Sequence, residues 1–353
     1  MSKYKIQENE CYWLTEASSS QTGSYFFKHN YSTQLIQNNT KISILEPMDL
    51  YAKNDQAEEY YNIIYHNDIL REHIISSNCS KYHWSILSTG GMRNLEDTHG
   101  KDLVDDFYSR IKTLHEGNEI ICNGDICKEI VLNHVKTING KDEGFYAWNS
   151  FKHTNNEECH AVFDLGGQTA QYTNQTFVYT QYIGRQHSLG KIHDTGISQC
   201  FNRNNTYHGD NCREVIKNYL STSSYDIPIL TNSHCKLYAV SNFYYFFKDL
   251  CTLYLPSMQY HNYTRSPIID DICARKSENL DSGFSVQASH YKSLADEICQ
   301  YQNSEWNNKT AETAAGTCFI GNYIHQVLEH TGLLEEKLTI LDADWTLGAV
   351  DHL

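Results

Sequence analysis

Four short segments gather residue types able to handle phosphate and water. The first is Glu16-Ala-Ser-Ser-Ser-Gln-Thr22. Small residues in a tight turn let backbone N–H groups and hydroxyls approach an anion closely. On its own the segment reads first as an ordinary polar hairpin. The second is Ser88-Thr-Gly-Gly-Met-Arg93. A Gly-Gly pair after a strand can present helix N–H groups to phosphate, although such pairs also simply break strands. The third, Asn139-Gly-Lys-Asp-Glu-Gly-Phe-Tyr-Ala-Trp148, puts a carboxylate in the first turn of a helix. The positive end of the helix dipole favours the ionised form there, and an ionised Glu143 can take a proton from water. The plainer reading is helix capping by Asp142 or Glu143. The fourth, Phe163-Asp-Leu-Gly-Gly-Gln-Thr-Ala-Gln171, ends an apolar strand at Asp164 and turns on Gly166-Gly167. Asp164 is placed to hold a hydrated divalent metal, and Thr169 and Gln171 offer donors and acceptors to water or phosphate. The plainer reading is a buried strand that ends in a glycine turn.

The elements that must position these segments follow from hydrophobic spacing. Cys11–Thr15 and Ser24–Lys28 are apolar runs either side of a polar turn at Glu16–Thr22, which predicts a hairpin. Gln34–Leu45 has two β-like pieces around Asn38-Asn39, and residues 54–75 place Ala57, Tyr60, Tyr61, Ile64 and Ile69 near helical spacing. His83–Leu87 predicts a strand ended by Gly90-Gly91. Residues 101–115 put Leu103, Val104, Phe107, Ile111 and Leu114 on one helical stripe of core packing, with no chemistry. Val131–Ile138 is a further strand, followed by a helix near Glu143. The order is βββαβαβα. Two such units in tandem make the actin-like ATPase architecture, an α/β fold with two ribonuclease-H-like lobes and the active site in the cleft between them. The second unit opens at His160-Ala-Val-Phe163, whose strand, glycine turn and strand echo the first. The boundary falls near residues 150–160, and Asp194–His208 reads as a long polar loop.

Composition limits the alternatives. The net charge of −15 argues against a nucleic-acid partner, which calls for a basic footprint. A polyphosphate ligand must then be held by local donors and a metal. The 12 cysteines fit several disulfides in an oxidising compartment. Cys122-Asn-Gly-Asp-Ile-Cys127 reads as a disulfide loop or free thiols ahead of half a metal knuckle, because no second pair of matching spacing follows. The 18 histidines are scattered without a metal-ligand spacing. Met1–Glu10 lacks the apolar core of a signal peptide, and no run of about 18 apolar residues predicts a membrane span. Seven N-x-S/T sequons, at Asn30, Asn38, Asn78, Asn174, Asn204, Asn262 and Asn308, add weak support for secretion in so Asn-rich a chain.

The four segments, in this order, resemble the first four signature regions of the ecto-nucleoside triphosphate diphosphohydrolase (apyrase) family. Ala239-Val-Ser-Asn-Phe-Tyr-Tyr-Phe-Phe247 resembles a fifth, and Cys318–Tyr323 and Asp344-Trp-Thr-Leu-Gly348 resemble family patterns near the C-terminus. The likeness spans residues 11–348 and is loose between the motifs. It implies an acid anhydride hydrolase that removes the terminal phosphate of nucleoside tri- and possibly diphosphates with Mg²⁺ or Ca²⁺. Its lobes would be residues 1–155, completed by 345–353, and residues 156–344. By resemblance Glu143 is the catalytic base, Thr169 positions the attacking water and Gln171 lies beside it. Glu16 and Asp164 hold the metal through water. Ser18, Ser19, Ser20, Gln21 and Thr22 form one phosphate loop, and Gly166, Gly167, Gln168 and Thr169 the other, with Thr89 from the second region. Tyr245 stacks on the nucleobase, and a second stacking residue is expected within 300–345. The absence of spans points to a soluble, secreted form.

The first motif departs from the family pattern. Glu16 stands for an aspartate, Ser18 for a glycine and Gln21 for a histidine; elsewhere Thr169 replaces a serine and Ala147 a glycine. Glu16 keeps the charge but extends it by one methylene, and Ser18 adds a Cβ where the backbone must come close to phosphate. The base, the second acid and the second loop survive, which predicts an active but altered enzyme. Two other readings remain: a nucleotide-binding protein with little catalysis, and an exopolyphosphatase-like phosphohydrolase of the same superfold.

Overall fold

The apolar run at Cys11–Thr15 forms the inner part of β1 (Glu10–Ala17), with Cys11, Trp13, Leu14 and Thr15 buried. β1 pairs antiparallel with β2 (Thr22–His29), which pairs antiparallel with β3 (Leu35–Ile44). The computed structural model describes residues 10–18, 22–29, 35–44, 47–117, 119–154, 159–175, 177–184, 209–222, 229–230, 235–257, 267–278, 283–300, 308–343, 345–350 and 352–353. The expected loop at Asp194–His208 lies outside them.

Three helices follow: α1 (Met48–Lys53), α2 (Ala57–Tyr65) and α3 (Asp68–Ser76). They lead to β4 (Lys81–Ser88), which lies parallel to β1 and sets Trp13 beside Trp84. The two indoles stack at 4.2 Å and 9°. Next come α4 (Gly90–His99), α5 (Lys101–Leu114), β5 (Glu119–Asn123), β6 (Ile126–Thr137) and α6 (Gly140–Thr154). The sheet runs β3-β2-β1-β4-β6-β5, with β1, β4 and β6 parallel and β5 antiparallel to β6.

The second sheet is built from β7 (His160–Leu165), β8 (Ala170–Thr173), β9 (Val178–Gln181), β10 (Lys236–Ser241), β11 (Phe284–Gln287) and β12 (Lys337–Ile340). Its described helices are α7 (Gly209–Thr222), α8 (Asn242–Ser257), α9 (Pro267–Glu278), α10 (His290–Gln300) and α11 (Asn308–His330). A last short helix, α12 (Thr346–Val350), belongs with the first sheet: the chain divides into Met1–Asn156 with Trp345–Leu353, and Glu157–Asp344. Read from its β9 edge, the second sheet runs β9-β8-β7-β10-β12-β11 and repeats the first strand for strand, including the parallel centre β7, β10, β12. The fold class is therefore α/β, two mixed-sheet units of the actin-like type, and the sequence echo at residues 160–172 is a repeat of topology. β7 is buried along its whole length, as expected of a central strand covered on both faces.

Four local expectations need correction. The helical spacing over 54–75 belongs to two helices. Asn67 Oδ1 accepts from the N–H groups of Ile69 (3.1 Å) and Leu70 (3.2 Å), starting α3 afresh. The change of direction leaves Ile69 60% exposed and puts Leu70 and Ile74 in the core. Gly90-Gly91 does not merely end β4; it begins α4. The strand expected at Val131–Ile138 is longer and is preceded by β5. The two β-like pieces around Asn38-Asn39 form one strand, with the irregularity in its pairing to β2 between Ser24 and Phe26.

The cysteines close covalently. Cys122–Cys127 pins the β5–β6 hairpin, which settles that segment as a disulfide loop. Cys11–Cys79 joins β1 to the segment entering β4, and Cys159–Cys235 joins the entries of β7 and β10. The repeated units thus carry equivalent bolts at the N-terminal ends of their paired parallel strands. Cys251–Cys273 ties α8 to α9, and Cys299–Cys318 ties α10 to α11. No free cysteine occurs among the described residues, as suits an oxidising compartment. No helix among the described residues is long and apolar enough to cross a membrane.

Among the described residues His115, His160 and His325 are buried. His115 lies beside Trp84, with Nδ1 3.0 Å from the Tyr61 hydroxyl and Nε2 3.3 Å from the Ile130 carbonyl. Burial lowers its pKa against a smaller raising effect of Glu119. Burial also lowers His325. The folded chain therefore binds these protons less readily than the unfolded chain. Their stabilisation is full above the ordinary imidazole value of about 6.5 and is lost as pH falls through the depressed folded values. The urea midpoint should fall between pH 7.5 and pH 5. His115→Gln should narrow that difference; an unchanged midpoint across the range would rule the buried histidines out as its source.

Candidate active site

The parallel strands of each unit end on one edge of its sheet, and all four segments sit there. In the first unit, Glu16 lies opposite Gly23 across the β1–β2 hairpin. The Tyr25 hydroxyl donates to Glu16 Oε2 at 3.0 Å. A Cβ on Gly23 would stand 3.1 Å from the Tyr25 ring, so the glycine gives the tyrosine its path to the carboxylate. Ser18 follows β1, half-buried; Ser19, Ser20 and Gln21 lie outside the described residues. Thr22 is different from expectation. It is fully buried at the start of β2, and its hydroxyl meets that of Tyr60 at 3.2 Å. Its side chain belongs to the core, not to a phosphate loop.

At the end of β4, Thr89 is the N-cap of α4 without a side-chain cap bond, and its N–H donates to the Ala17 carbonyl at 3.1 Å. That bond holds the first and second segments together. The N–H groups of the first helical turn, at buried Gly90 and Gly91, have no intrahelical partners by construction and suit an anion.

The third segment resolves its own ambiguity. Asn139 caps α6: its Oδ1 accepts from the Asp142 N–H at 2.8 Å, and its Nδ2 donates to Asp142 Oδ2 at 2.7 Å. Asn139 takes the capping role with Asp142 as its side-chain partner, so neither carboxylate caps the helix, and Glu143 is turned to another partner. Glu143 is 7% exposed, and Arg93 Nη2 donates to its Oε2 at 2.7 Å. Arg93 Nη1 donates to the Ile138 carbonyl at 2.7 Å. One guanidinium thus locks Glu143 to the end of β6. Arg93 was quoted within its segment but given no role by the sequence. The available signal was its position: a cation in the first turn of a helix opposes the dipole and needs an acid nearby.

The C-terminal motif holds α6 from behind. Gly348 N–H donates to Ser150 Oγ at 2.7 Å, and Asn149 Nδ2 donates to the Gly348 carbonyl at 3.2 Å. A Cβ on Gly348 would fall 2.0 Å from the Tyr146 carbonyl oxygen. Only glycine permits that approach. Trp345, buried beside Tyr146 at 6.2 Å, completes the contact.

In the second unit the β7–β8 turn is tight. Asp164 lies opposite Gln171, and Gly166 N–H donates to the Thr169 carbonyl at 2.9 Å. Gln171 Nε2 donates to Thr169 Oγ1 at 2.8 Å. Asp164, Thr169 and Gln171 are all buried to 5% exposure or less, while Gly166, Gly167 and Gln168 are half-buried. Two supports were missed from sequence. Asn242 Nδ2 donates to the carbonyls of Leu165 (2.6 Å) and Gly166 (2.9 Å), fixing the turn to the start of α8. Gly184 N–H donates to the Gln168 carbonyl at 3.0 Å, and a Cβ there would stand 2.4 Å from the Gln168 backbone. Ser241, at φ 60, makes the sharp exit from β10 into α8 that aims Asn242. Tyr245 lies one turn into α8, half-buried, with Lys248 Nζ 5.9 Å from its ring centroid. Its neighbour Tyr244 is pushed up to about 12 by burial, with Asp342 and Tyr245 adding to it. No second stacking residue stands out within the described part of 300–345.

A divalent cation fits this donor chemistry in one way. Among the described residues no group of three or more His, Cys, Asp or Glu could hold a metal ion. Glu16 in the first unit and Asp164 in the second are each a single hard carboxylate near a strand end, the donor type that an ion such as Mg²⁺ takes while keeping most of its waters.

No protein-family model matches this sequence, and no curated protein does. Solved structures do. A Ppx/GppA family member from Aquifex aeolicus has TM-score 0.58 at 14% identity, covering 97% of this chain and 96% of that one. An exopolyphosphatase from Cytophaga hutchinsonii has TM-score 0.57 at 10% identity, covering 97% and 96%. A nucleoside triphosphate hydrolase from Neospora caninum has TM-score 0.54 at 9% identity, covering 98% and 93%. These likenesses establish the fold. At such identity the assignment of chemistry rests on the residues just described.

Two substitutions test the geometry. Arg93→Met strands a buried carboxylate and should cost about 3–5 kcal/mol in urea unfolding, whereas Arg93→Met with Glu143→Met should recover most of it. A neutral single variant would mean the pair is not structural. Gly348→Ala should destabilise by about 1–3 kcal/mol or more through overpacking against α6, read as a lower midpoint with unchanged slope.

Proposed function

We propose that this chain is a phosphohydrolase that cleaves the terminal phosphoanhydride bond of nucleoside tri- or diphosphates, working in an oxidising, extracytoplasmic compartment. The observation that carries the reading is Glu143: a carboxylate buried in the first turn of α6, relieved of capping by Asn139 and fixed by Arg93. A carboxylate offers about four lone-pair sites, so one bond from Arg93 leaves it able to accept a proton. In the proposed reaction the oxygen of water bonds to the terminal phosphorus as the bridging P–O bond breaks. The water proton passes to Glu143. Thr169, whose Oγ1 accepts from Gln171, is the proposed residue that orients water or phosphate. The N–H groups at Gly90–Gly91 and the Gly166–Gln168 turn are the proposed phosphate donors, and Tyr245 the nucleobase platform. Mg²⁺ or Ca²⁺, held through water by Asp164 and Glu16, would supply charge neutralisation on the phosphates. Positioning and electrostatics supply most of the acceleration in such reactions.

Inorganic polyphosphate is the second substrate reading, favoured by the fold likeness to the Ppx/GppA member and the exopolyphosphatase. A chain that binds nucleotide with little turnover is the third; the loss of Thr22 to the core and the altered first motif favour it.

Phosphate release from ATP, ADP, GTP, UTP and polyphosphate, with Mg²⁺ and with Ca²⁺, separates the three. Glu143→Ala should lower kcat about 10²–10⁴-fold if Glu143 is the general base. Combining it with Thr169→Ala should cost less than the product of the two single losses, because both serve one step. Near-wild-type turnover in Glu143→Ala would sink the assignment.

A further inference from the structure

The chain carries 28 lysines and arginines against 43 aspartates and glutamates. One cavity of the first unit reverses that balance. It has a volume of about 550 Å³ and lies among α4, α5 and the end of β6. Its charged lining is Arg93, Lys101, Lys112 and Lys136 against Glu96 and Asp105. Volumes of about 300–1,000 Å³ are those of small-molecule sites.

The arrangement follows from helix and strand geometry. Lys101, Asp105, Tyr108 and Lys112 fall on one face of α5 at spacings of three and four residues. Lys136 stands at the C-terminal end of β6, on the edge that carries the candidate site. Lys101, Lys112 and Lys136 are exposed and make no ion pair with a carboxylate among the described residues. Glu96 accepts from Thr137 Oγ1 at its Oε1, 2.7 Å away, in a half-buried hydroxyl chain that runs on to Tyr108 at 2.8 Å. The positive field reaches the neighbouring imidazole, since burial and then the charges of Lys136 and Lys112 lower His134.

Arg93 connects this cavity to Glu143. The same guanidinium lines the cavity and donates to Glu143 Oε2. We propose that the cavity is an accessory anion site, distinct from the glycine-turn donors, that binds inorganic phosphate or a short oligophosphate through Lys101, Lys112 and Lys136. Trivalent and more highly charged oligophosphates suit a site of several ammonium groups, each a compact charge with three donors. The site does not depend on the proposed hydrolysis, because binding is read without turnover. Two sources share the chemistry: phosphate released as product, and the distal phosphates of a longer chain.

Lysine acetylation followed by mass spectrometry tests it on the full chain, without divalent cation and at constant ionic strength. The probes are inorganic phosphate, inorganic tripolyphosphate and sodium chloride. Acetylation of Lys101, Lys112 and Lys136 should slow several-fold with a phosphate probe, while Lys53 and Lys217, exposed on other helices, stay unchanged. Lys112→Gln with Lys136→Gln should abolish protection at Lys101. Asp105→Asn should give protection at about threefold lower probe concentration, the scale of one exposed charge pair. Protection by phosphate itself assigns the site to product; protection by tripolyphosphate alone assigns it to a longer chain. Equal slowing at every lysine, no slowing at all, or undiminished protection of Lys101 in the double variant would overturn the proposal.

Discussion

Three parallel strands at the centre of each sheet constrain everything else in this protein. β1, β4 and β6 in one unit, and β7, β10 and β12 in the other, run the same way, so each must hand the chain to a turn or helix on one edge. The interior of such a strand is closed to chemistry: every residue of β7 is buried. Backbone groups and polar side chains can meet a ligand only where the ladder stops. Thr89, Asn139 and Asn242 follow strand ends, and Glu16 and Asp164 are the next-to-last residues of β1 and β7. The disulfides Cys11–Cys79 and Cys159–Cys235 fasten the opposite ends. They restrain the strands without crowding the reactive edge.

Within that frame, polar side chains divide the labour between holding the edge and acting from it. Asn139 and Asp142 satisfy the start of α6, so Glu143 need not. Arg93 spends one arm on the Ile138 carbonyl and the other on Glu143, which fixes the orientation of a buried carboxylate. Asn242 does for the Gly166 turn what Arg93 does for α6: it ties a loop to the neighbouring parallel strand. Close backbone approach finishes both supports, at Gly348 against α6 and at Gly184 against Gln168. These are second contacts from distant parts of the chain, and the reactive groups are positioned by them.

The first segment is where local pattern and folded outcome part. Glu16 keeps its place at the strand end, but its carboxylate already accepts from Tyr25, and Thr22 is turned into the core onto Tyr60. The sequence reads Glu16–Thr22 as a tight polar turn of small residues, with Thr22 in the phosphate loop. The hairpin register carries β1 to Ala17 and starts β2 at Thr22, which shortens the turn between them.

Strand and helix types, the repeat of topology, the disulfide-rich character and the placing of the four candidate segments at strand ends were legible in the sequence because each is written in local spacing. Alternating and 3.6-residue periodicities, glycine pairs after apolar runs and an acid in a first helical turn all act over fewer than about ten residues. Which carboxylate meets the cap residue Asn139 and which faces Arg93 was not legible, since Asp142 and Glu143 are adjacent and the choice is made by a guanidinium fifty positions earlier. The break at Asn67, the need for glycine at Gly184 and Gly348, and the cation-lined cavity beside β6 were likewise invisible. Each depends on how closely separate elements approach, and that distance is set by packing of the whole unit and by no property of the local chain.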